Sequence, residues 1–272
     1  MSDPAGFTRH VPRKRFGQHF LHDPGILRKI VQAIAPKPGD NLVEIGPGEG
    51  ALTLPLLQEL GRMTVIELDR DLVPRLRAAA EAAGEIDIVN ADVLTVDLAA
   101  LARGGALRIV GNLPYNISSP ILFHCIESID AIRDMHFMLQ KEVVDRMAAA
   151  PGSKTYGRLS VMLQLVCRVD PLLRVPPGAF RPPPKVDSAV VRLTPRAPEE
   201  RAIGDTALLA RIVKAAFGQR RKTLSNALSG IADSNAIAEA GVDPRARAEQ
   251  LAPLAFVALT DVLKRREPAV GN

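Results

Sequence analysis

The sequence has little of what redox, metal and secreted scaffolds are built from. Its 272 residues include two cysteines, two tyrosines and no tryptophan, and aromatic residues make up 4%. Cys125 and Cys167 both lie in apolar segments, which predicts free core thiols rather than a disulfide or metal framework. The five histidines show no spacing typical of metal ligands. No metal site is therefore predicted.

Long hydrophobic runs are also missing. No apolar run is long enough to span a bilayer, and the N-terminus lacks the apolar segment of a secretory signal. These absences predict a cytoplasmic protein with no membrane partner. The hydrophobic content of 47% is still enough for one large domain and one small domain. Nothing in the sequence demands more than a monomer.

Alternating strand and helix patterns up to about residue 195 predict a mainly parallel sheet with helices on both faces. Helices are predicted from Asp23 to Ile34 and over residues 158–166, and a fifth strand over 134–139. Strands over 169–175 and 188–193 flank a proline-rich loop and predict an antiparallel addition at one sheet edge. Beyond residue 198, short amphipathic segments near 206–217, 222–231, 234–240 and 254–266 predict a helical domain.

Three successive predicted strands end in residues suited to a nucleoside. The run 41–45 leads into the glycine loop 46–50 and then a helix, whose N-terminus offers unpaired N–H groups. Glu67 ends the next run, where its carboxylate can accept hydrogen bonds from both ribose hydroxyls. Asp92 follows the third run and can accept from the amino group of an adenine. Such residues meet at the carboxyl edge of a doubly wound sheet.

Each of these features also has a simpler explanation. A single acid at a strand end is more often a helix cap or a solvated turn carboxylate. The glycine loop, with Gly46, Gly48 and Ala51, also satisfies the loose dinucleotide fingerprint, so a nicotinamide-dependent oxidoreductase is one alternative. The three sites read together favour a nucleoside cofactor.

The segment Asn112-Leu113-Pro114-Tyr115 closes the fourth predicted strand, 107–110, and is the most informative. Asn and Pro are common turn residues, but a carboxamide oxygen and backbone carbonyls can also accept the N–H bonds of an unprotonated amine. A tyrosine ring can cover the base that carries this amine. Taken together with the earlier strand ends suited to a nucleoside, the segment predicts methyl transfer to an adenine amine without a charged base.

Seven segments together resemble a known family. They are residues 16–21, 43–50, 67–69, 112–117, 140–143, 180–188 and 217–222. The sequence is similar, over nearly its whole length, to the ribosomal-RNA adenine N6-dimethyltransferases, and most closely to those that act on the small subunit. Segments 180–188 and 217–222 are the more specific, because neither is generic to methyltransferases.

The resemblance implies a fold, a cofactor and a reaction. The implied fold is the Rossmann-like α/β fold of class I S-adenosylmethionine-dependent methyltransferases. We expect a basic arm and this domain over residues 1–198, and a small helical RNA-binding domain over 199–272. The implied reaction is N6,N6-dimethylation of two adjacent adenosines near the 3′ end of small-subunit (16S) rRNA within a partly assembled 30S subunit.

The expected site follows from the same motifs. The cofactor-binding residues are Gln18, His19, Leu21, Glu44, Gly46, Gly48, Glu67, Leu68, Asp92, Val93 and Asn112. The catalytic residues are Asn112, Leu113, Pro114, Tyr115 and Phe180. Tyr115 and Phe180 are expected to cover opposite faces of the target adenine. Spacing alone favours Phe180 as a core residue, and the resemblance favours the stacking role.

Two basic clusters predict contacts with a polyanion. The net charge is +5, and the clusters are Arg13, Lys14 and Arg15 near the N-terminus and Arg220, Arg221 and Lys222 near the C-terminus. Binding of such groups to rRNA phosphates releases counterions and weakens with salt. The simpler explanation is a solvated tail and a solvated helix end.

Two further classes of protein fit the same motifs. A large-subunit rRNA dimethyltransferase of the antibiotic-resistance type would share the catalytic motifs and differ mainly in segment 180–188 and the C-terminal basic cluster. The second class is a non-enzymatic RNA-binding or assembly factor on a methyltransferase scaffold, because fold and function separate readily. Its expected sign is a damaged glycine loop or Asn112 motif, and both are intact.

Overall fold

The computed structural model describes residues 19–103, 105–201 and 203–266. The predicted site residues Arg13, Lys14, Arg15 and Gln18 lie outside these described residues. Apart from short 3₁₀ turns, the elements are β1 (Phe20–Leu21), α1 (Pro24–Ile34), β2 (Asn41–Ile45), α2 (Thr53–Leu60), β3 (Arg62–Ile66), α3 (Val73–Ala80), β4 (Glu85–Val89), β5 (Leu107–Asn112), α4 (Ser118–Glu127), β6 (Ile132–Gln140), α5 (Lys141–Met147), α6 (Arg158–Val166), β7 (Cys167–Val175), β8 (Phe180–Arg181), β9 (Ser188–Pro195), α7 (Thr206–Gly218), α8 (Leu224–Ala227), α9 (Ser234–Glu239) and α10 (Pro253–Arg266).

Seven strands form one sheet in the order β4-β3-β2-β5-β6-β9-β7. The strands from β4 to β6 pair in parallel, and β9 pairs antiparallel with β6. The central strands β2 and β5 are runs of buried residues, as expected for strands covered on both faces. The predicted Rossmann-like α/β fold and its antiparallel addition are confirmed.

A separate pair of short strands joins distant parts of the chain. Strand β1 pairs antiparallel with β8, with Phe20 opposite Arg181 and Leu21 opposite Phe180. The backbone N–H of His22 adds a hydrogen bond of 2.9 Å to the Ala179 carbonyl. This pairing ties the start of the described chain to the proline-rich segment, and the sequence pattern did not predict it.

Helix α1 begins and ends as its sequence predicts. Asp23 is the N-cap, and its Oδ1 accepts from the backbone N–H groups of Gly25 at 2.8 Å and Ile26 at 2.9 Å. Pro24 suits the first turn because its missing N–H needs no partner there. The helix ends at Ala35, whose φ of 47° lies in the left-handed region.

A buried arginine joins α1 to the sheet at the opposite edge from the carboxyl ends of the strands. Arg108 on β5 donates to Asp40 at 2.7 Å, to both oxygens of Asp134 at 3.0 Å and to the Ile34 carbonyl at 2.5 Å. Burial is the largest single effect on the pKa of Asp40 and would raise it. The hydrogen bonds from Arg108 and the Lys37 N–H, together with the charges of Arg108 and Arg133, outweigh burial and hold that pKa below its ordinary value. Arg133, which is exposed, also reaches Asp40, at 3.1 Å.

The described chain divides into two compact units. The first comprises residues up to 144 together with 170–195, and the second comprises 145–169 together with residues from 196 onward. The sequence predicted a single domain boundary after residue 198. This boundary lies close to the one observed after residue 195, but the sequence did not predict that residues 145–169 belong to the helical unit. The reason is that α6 packs against α7 and α10, so residues 145–169 join the helical unit.

The helical unit is built around its own core. Tyr156 is buried, and its hydroxyl donates to the Leu251 carbonyl at 2.8 Å. The ring of Phe217 contacts the rings of Tyr156 and Phe256, with centroids 5.9 and 5.8 Å away. The predicted helices at 206–217, 234–240 and 254–266 are present, whereas the segment 222–231 is helical only over Leu224–Ala227. Within the described ranges, no helix is long and apolar enough to cross a membrane.

Candidate active site

A cavity of about 330 Å³ lies in the first unit, at the carboxyl ends of the parallel strands. The predicted cofactor-binding and catalytic residues that line it are His19, Leu21, Glu44, Gly46, Gly48, Glu67, Leu68, Asp92, Val93, Asn112, Leu113, Pro114 and Tyr115. They come from β1 and the residue before it, from β2 and the loop after it, from the loops after β3 and β4, and from the end of β5 with the segment that follows. The fold thus brings together residues that are far apart in the sequence.

The glycine loop gives the cavity a backbone wall. Gly46 and Gly48 have φ values of 68° and 60°, in the region that favours glycine. A Cβ atom on Gly48 would lie 2.9 Å from the ring of Phe20, so a side chain there would displace the ring. Phe20 therefore packs directly on the loop, in the space that a side chain at position 48 would occupy.

Glu67 is held rigidly at the end of β3. Its Oε1 accepts from the N–H of Asp69 at 2.7 Å, and its Oε2 accepts from the N–H of Gly48 at 3.2 Å. Burial raises the pKa of Glu67, although these backbone hydrogen bonds oppose that shift. Each carboxylate oxygen has a further lone pair. The geometry is thus compatible with acceptance of two ribose hydroxyls.

Glu44 lies on β2 beneath the glycine loop and is fully buried. Thr53, the first residue of α2, donates its hydroxyl to Glu44 Oε2 at 2.6 Å. Burial raises the pKa of Glu44 to about 7, against the opposing effect of the Thr53 hydrogen bond and with a contribution from the Glu67 charge. The contact links the strand before the loop to the helix after it.

The loop after β4 combines a cap with a hydrophobic surface. Asp92 accepts a hydrogen bond from the N–H of Leu94 at 3.0 Å and so caps a 3₁₀ turn, which is the simpler role that such an acid often has. It also lines the cavity. Leu68 and Leu94 line the cavity with 46% and 36% of their surface exposed. Two apolar side chains beside an acid suit a purine ring with an exocyclic amine.

The carboxamide of Asn112 has a defined orientation. Its Nδ2 donates to the backbone carbonyl of His19 at 2.8 Å, and a carbonyl oxygen can only accept. The other end, Oδ1, accepts no hydrogen bond from any residue the structure describes. Asn112 therefore presents an acceptor at the cavity.

Tyr115 and the segment before it complete this wall. The Tyr115 ring stacks on the His19 ring, with centroids 5.6 Å apart and an interplanar angle of 26°. Its hydroxyl is 2.6 Å from Ser188 Oγ, and burial raises its pKa. The carbonyl of Pro114 already accepts from the Ile117 N–H at 3.2 Å. Among the described residues nothing donates to the Leu113 carbonyl, which makes it the better candidate for the second amine acceptor.

Phe180 does not lie where the sequence argument placed it. Its side chain is 2% exposed, belongs to the hydrophobic core with Ile30, Val175 and Val190, and is not part of the cavity lining. The pairing of β8 with β1 fixes this position, because Phe180 lies opposite the buried Leu21. A stacking role of Phe180 on the target adenine does not fit this placement.

Sequence reasoning missed several residues that line the cavity, above all His136 on β6. His136 is buried, and its Nδ1 is 3.5 Å from Asp134 Oδ1, which is too long for a good hydrogen bond. Period-two alternation places it on the same face as Met138, which pairs with Asn112. This alternation is the sequence signal that could have identified His136 as a residue of the cavity. Phe20, Ile30 and Leu94 were also missed.

The C-terminal basic cluster lies in the helical unit, where its members differ. Arg220 donates to the carbonyls of Lys154 at 3.0 Å and Tyr156 at 3.1 Å and lies 3.6 Å from Glu249. It therefore has a structural role in addition to the predicted one. Arg221 and Lys222 are exposed and have no acidic partner in the described part of the chain.

The donor set of the cavity fits S-adenosylmethionine. Two acids, an apolar rim and a glycine loop with positive φ values are suited to ribose, adenine and a close backbone approach. Within residues 19–103, 105–201 and 203–266, no group of three or more His, Cys, Asp or Glu side chains is placed to hold a metal ion. The fold and site together define a class I methyltransferase.

Comparison with known proteins gives the family. Residues 9–265 match the sequence model of the family described as Ribosomal RNA adenine dimethylase, and the chain belongs to this family. It is an rRNA adenine dimethyltransferase, and its methyl donor is S-adenosylmethionine.

Relatives and solved structures agree with this assignment. The chain is 60% identical over 250 residues to Ribosomal RNA small subunit methyltransferase A of Xanthomonas campestris pv. campestris (strain B100), covering 92% of this chain and 95% of the relative. It is 59% identical over 257 residues to the protein of the same name in Xanthomonas oryzae pv. oryzae (strain PXO99A), covering 94% and 97%.

Two solved structures share the fold over most of the chain. A dimethyladenosine transferase from Plasmodium falciparum superposes with a TM-score of 0.78 at 26% identity, covering 89% of this chain and 96% of that one. The 23S rRNA methyltransferase ErmE superposes with a TM-score of 0.69 at 27% identity, covering 90% and 99%.

Proposed function

We propose that this enzyme dimethylates N6 of two adjacent adenosines near the 3′ end of small-subunit rRNA. It acts in the cytoplasm, as a monomer, on a partly assembled small subunit. Relatives at 60% and 59% identity carry the name of a small-subunit methyltransferase. The observation that carries the chemistry is the hydrogen bond from Asn112 to His19, because it leaves Oδ1 as an acceptor for the target amine.

The first task of the site is to hold the amine. The base must leave its stack to reach an enclosed site. One N–H of N6 would donate to Asn112 Oδ1 and the other to the Leu113 carbonyl. These two hydrogen bonds favour a pyramidal nitrogen, whose lone pair is less conjugated with the adenine ring and points toward the methyl donor. They accelerate the reaction only if they bind the amine more strongly in the transition state than in the ground state.

The second task is to hold the methyl donor in line with that lone pair. S-adenosylmethionine, when bound, supplies an electrophilic methyl group on a sulfonium. Glu67 would bind the ribose hydroxyls, Asp92 the adenine amine, and Leu68 the face of that ring. Gly46 and Gly48 leave room against the backbone. Fixed placement of two reactants can lower a barrier by roughly 7–11 kcal/mol in favourable cases.

Tyr115 would cover one face of the target adenine from the rim of the cavity. Its hydroxyl bond to Ser188 and its stacking on His19 hold the ring in place before any ligand arrives. Phe180 lies in the hydrophobic core opposite Leu21 instead of contacting the base. The proposed rRNA contacts in the helical unit are Arg221 and Lys222, which are exposed, with Arg220 contributing less. The contacts of Arg13, Lys14 and Arg15 stay a prediction.

The competing target is the large subunit, because ErmE shares the fold over most of both chains. Purified enzyme and labelled S-adenosylmethionine are incubated with small and large subunits that lack the modification, and the nucleosides are then separated. We expect N6,N6-dimethyladenosine in small-subunit rRNA alone. Label in large subunits alone would show that the target is large-subunit rRNA. No label in either subunit would contradict the proposed function.

A further inference from the structure

The segment 181–187, here called the proline loop, is anchored beside the cavity on both sides. On its N-terminal side, the Nδ1 of His19 donates to the Pro182 carbonyl at 2.8 Å. On its C-terminal side, the Asp187 carbonyl accepts from the Lys141 N–H at 2.9 Å. Immediately after the loop, Ser188 bonds the Tyr115 hydroxyl. Since His19 and Tyr115 line the cavity, the loop has a fixed position at its rim.

Three prolines further restrict the loop, because each fixes its own φ. The side chain of Asp187 is already paired with Arg174 at 2.7 Å. Asp187 is the only acid of the loop, and its charge is balanced by Arg174, which lies outside the loop. The loop therefore has a preordered backbone, and with Asp187 paired its net charge comes from Arg181 and Lys185 and is positive.

The outward face of the loop carries two cations and an aliphatic side chain. Arg181 and Lys185 are exposed, and neither has an acidic partner among the described residues. Val186 is 46% exposed. A single exposed valine is ordinary, but here it lies next to an unpaired lysine on a loop that is rigid at both ends. Two cations and an exposed apolar side chain on one short loop match an RNA strand, which offers phosphates together with sugars and bases.

We propose that the proline loop is an rRNA-binding surface, in which Arg181 and Lys185 bind the phosphates that flank the target adenosine and Val186 packs on the neighbouring nucleotide. An adenosine whose base enters the cavity at Asn112 and Tyr115 brings its own phosphates to the rim where this loop is pinned. The surface rests on the proposed function, because it needs an rRNA substrate. It lies in the same unit as the cavity, so it contacts the nucleotides nearest to the target.

Variants of the full-length enzyme test this surface. The test set is Arg181→Ala, Lys185→Ala and the double variant. The matched control is Arg77→Ala, an exposed cation on α3, which packs against β4 at the other edge of the sheet. Binding to transcribed small-subunit rRNA is measured over a series of salt concentrations, and methyl transfer to small subunits is measured in parallel.

Each lost phosphate contact should reduce the slope of log affinity against log salt by about 0.7–1. We expect the double variant to lose about 1.5–2 in slope and roughly tenfold in affinity at moderate salt. Its KM for subunits should rise by a similar factor, with kcat within about twofold and an unchanged affinity for S-adenosylmethionine. A purely structural role would lower kcat or the affinity for the methyl donor as well.

A double variant that binds rRNA with the affinity and salt slope of Arg77→Ala overturns the proposed surface. The two proposals fail in different ways. If the double variant shows the binding defect but the wild-type enzyme does not methylate small subunits, the surface stands and the proposed target is wrong. If the wild-type enzyme methylates small subunits and the double variant matches the control, the surface alone is wrong.

Discussion

The side chain of Asn112 donates a hydrogen bond of 2.8 Å to the backbone carbonyl of His19. The two residues are far apart in the sequence, and the contact joins β5 to the segment just before β1. It decides which end of the carboxamide faces a ligand, because a carbonyl can bind only the NH₂ end. The acceptor needed for an amine substrate is thus set by a residue of the N-terminal motif.

We expect Asn112→Ala to lose methyl transfer and keep its cofactor. Removal of one positioned hydrogen-bond partner from a reacting group typically costs about 10²–10³ in kcat. The measurements are single-turnover methyl transfer and calorimetric binding of S-adenosylmethionine, whose Kd should change by no more than a few-fold. Asn235→Ala on the exposed face of α9 is the control. Near wild-type turnover of Asn112→Ala would show that Oδ1 is not the amine acceptor.

Glu67→Ala should show the opposite pattern. The variant loses the carboxylate that accepts from Gly48 and Asp69 and that we assign to the ribose hydroxyls. Charge-assisted hydrogen bonds of this kind are among the stronger ones, so we expect the Kd for S-adenosylmethionine to rise at least about tenfold. Glu59→Ala, an exposed acid on α2, should leave this Kd unchanged. An unchanged Kd in Glu67→Ala would refute the assignment.

Glu44 makes stability depend on pH. Burial raises its pKa to about 7 from an ordinary 4.5, so the folded protein holds a proton that the unfolded chain releases. The stability gained from this proton is fully present below pH 4.5 and is lost as pH rises through about 7. Glu44→Gln keeps an acceptor for Thr53 without an ionisable group. It should match wild type at pH 4 and be more stable by about 1–3 kcal/mol at pH 8.

Denaturant unfolding at the two pH values measures this difference. The same free energy of unfolding for Glu44→Gln and wild type at pH 8 would mean that Glu44 is already ionised without cost in the folded protein.

Arg108→Met should destabilise the fold strongly. The change leaves Asp40 and Asp134 without the buried cation that both bind, and loss of one partner of a buried ion pair costs about 3–5 kcal/mol. Arg133→Met is the matched control, because Arg133 reaches the same Asp40 from an exposed position. It should cost at most about 1 kcal/mol. Equal free energies of unfolding for the two variants would contradict the role given to Arg108.

The sequence predicted which residues meet at the edge of the sheet, because each of them follows a strand with a clear pattern. Parallel strands put their carboxyl ends at one edge, so Gly46, Glu67, Asp92 and Asn112 were expected to meet, and they line one cavity. The orientation of Asn112 could not be predicted in this way. It depends on a contact with His19 that no local pattern encodes.

Long-range pairing explains most of what was missed. Phe180 was expected at the ligand, but its place in the core follows from the pairing of β8 with β1. Arg108 reads as one charged residue in an apolar strand, and its burial depends on the register that puts it beside Asp134. Residues 145–169 join the helical unit through packing of α6 on α7 and α10, which strand and helix periodicity does not reveal.

The most direct test of the central claim is mass spectrometry of the 3′-terminal fragments of small-subunit rRNA after incubation with wild-type enzyme or with Asn112→Ala. We predict two adjacent N6,N6-dimethyladenosines near the 3′ end with the wild-type enzyme and, at the same early time, about one hundredth of that yield or less with the variant. Dimethyladenosine at other positions, or the same yield from Asn112→Ala, would contradict the account.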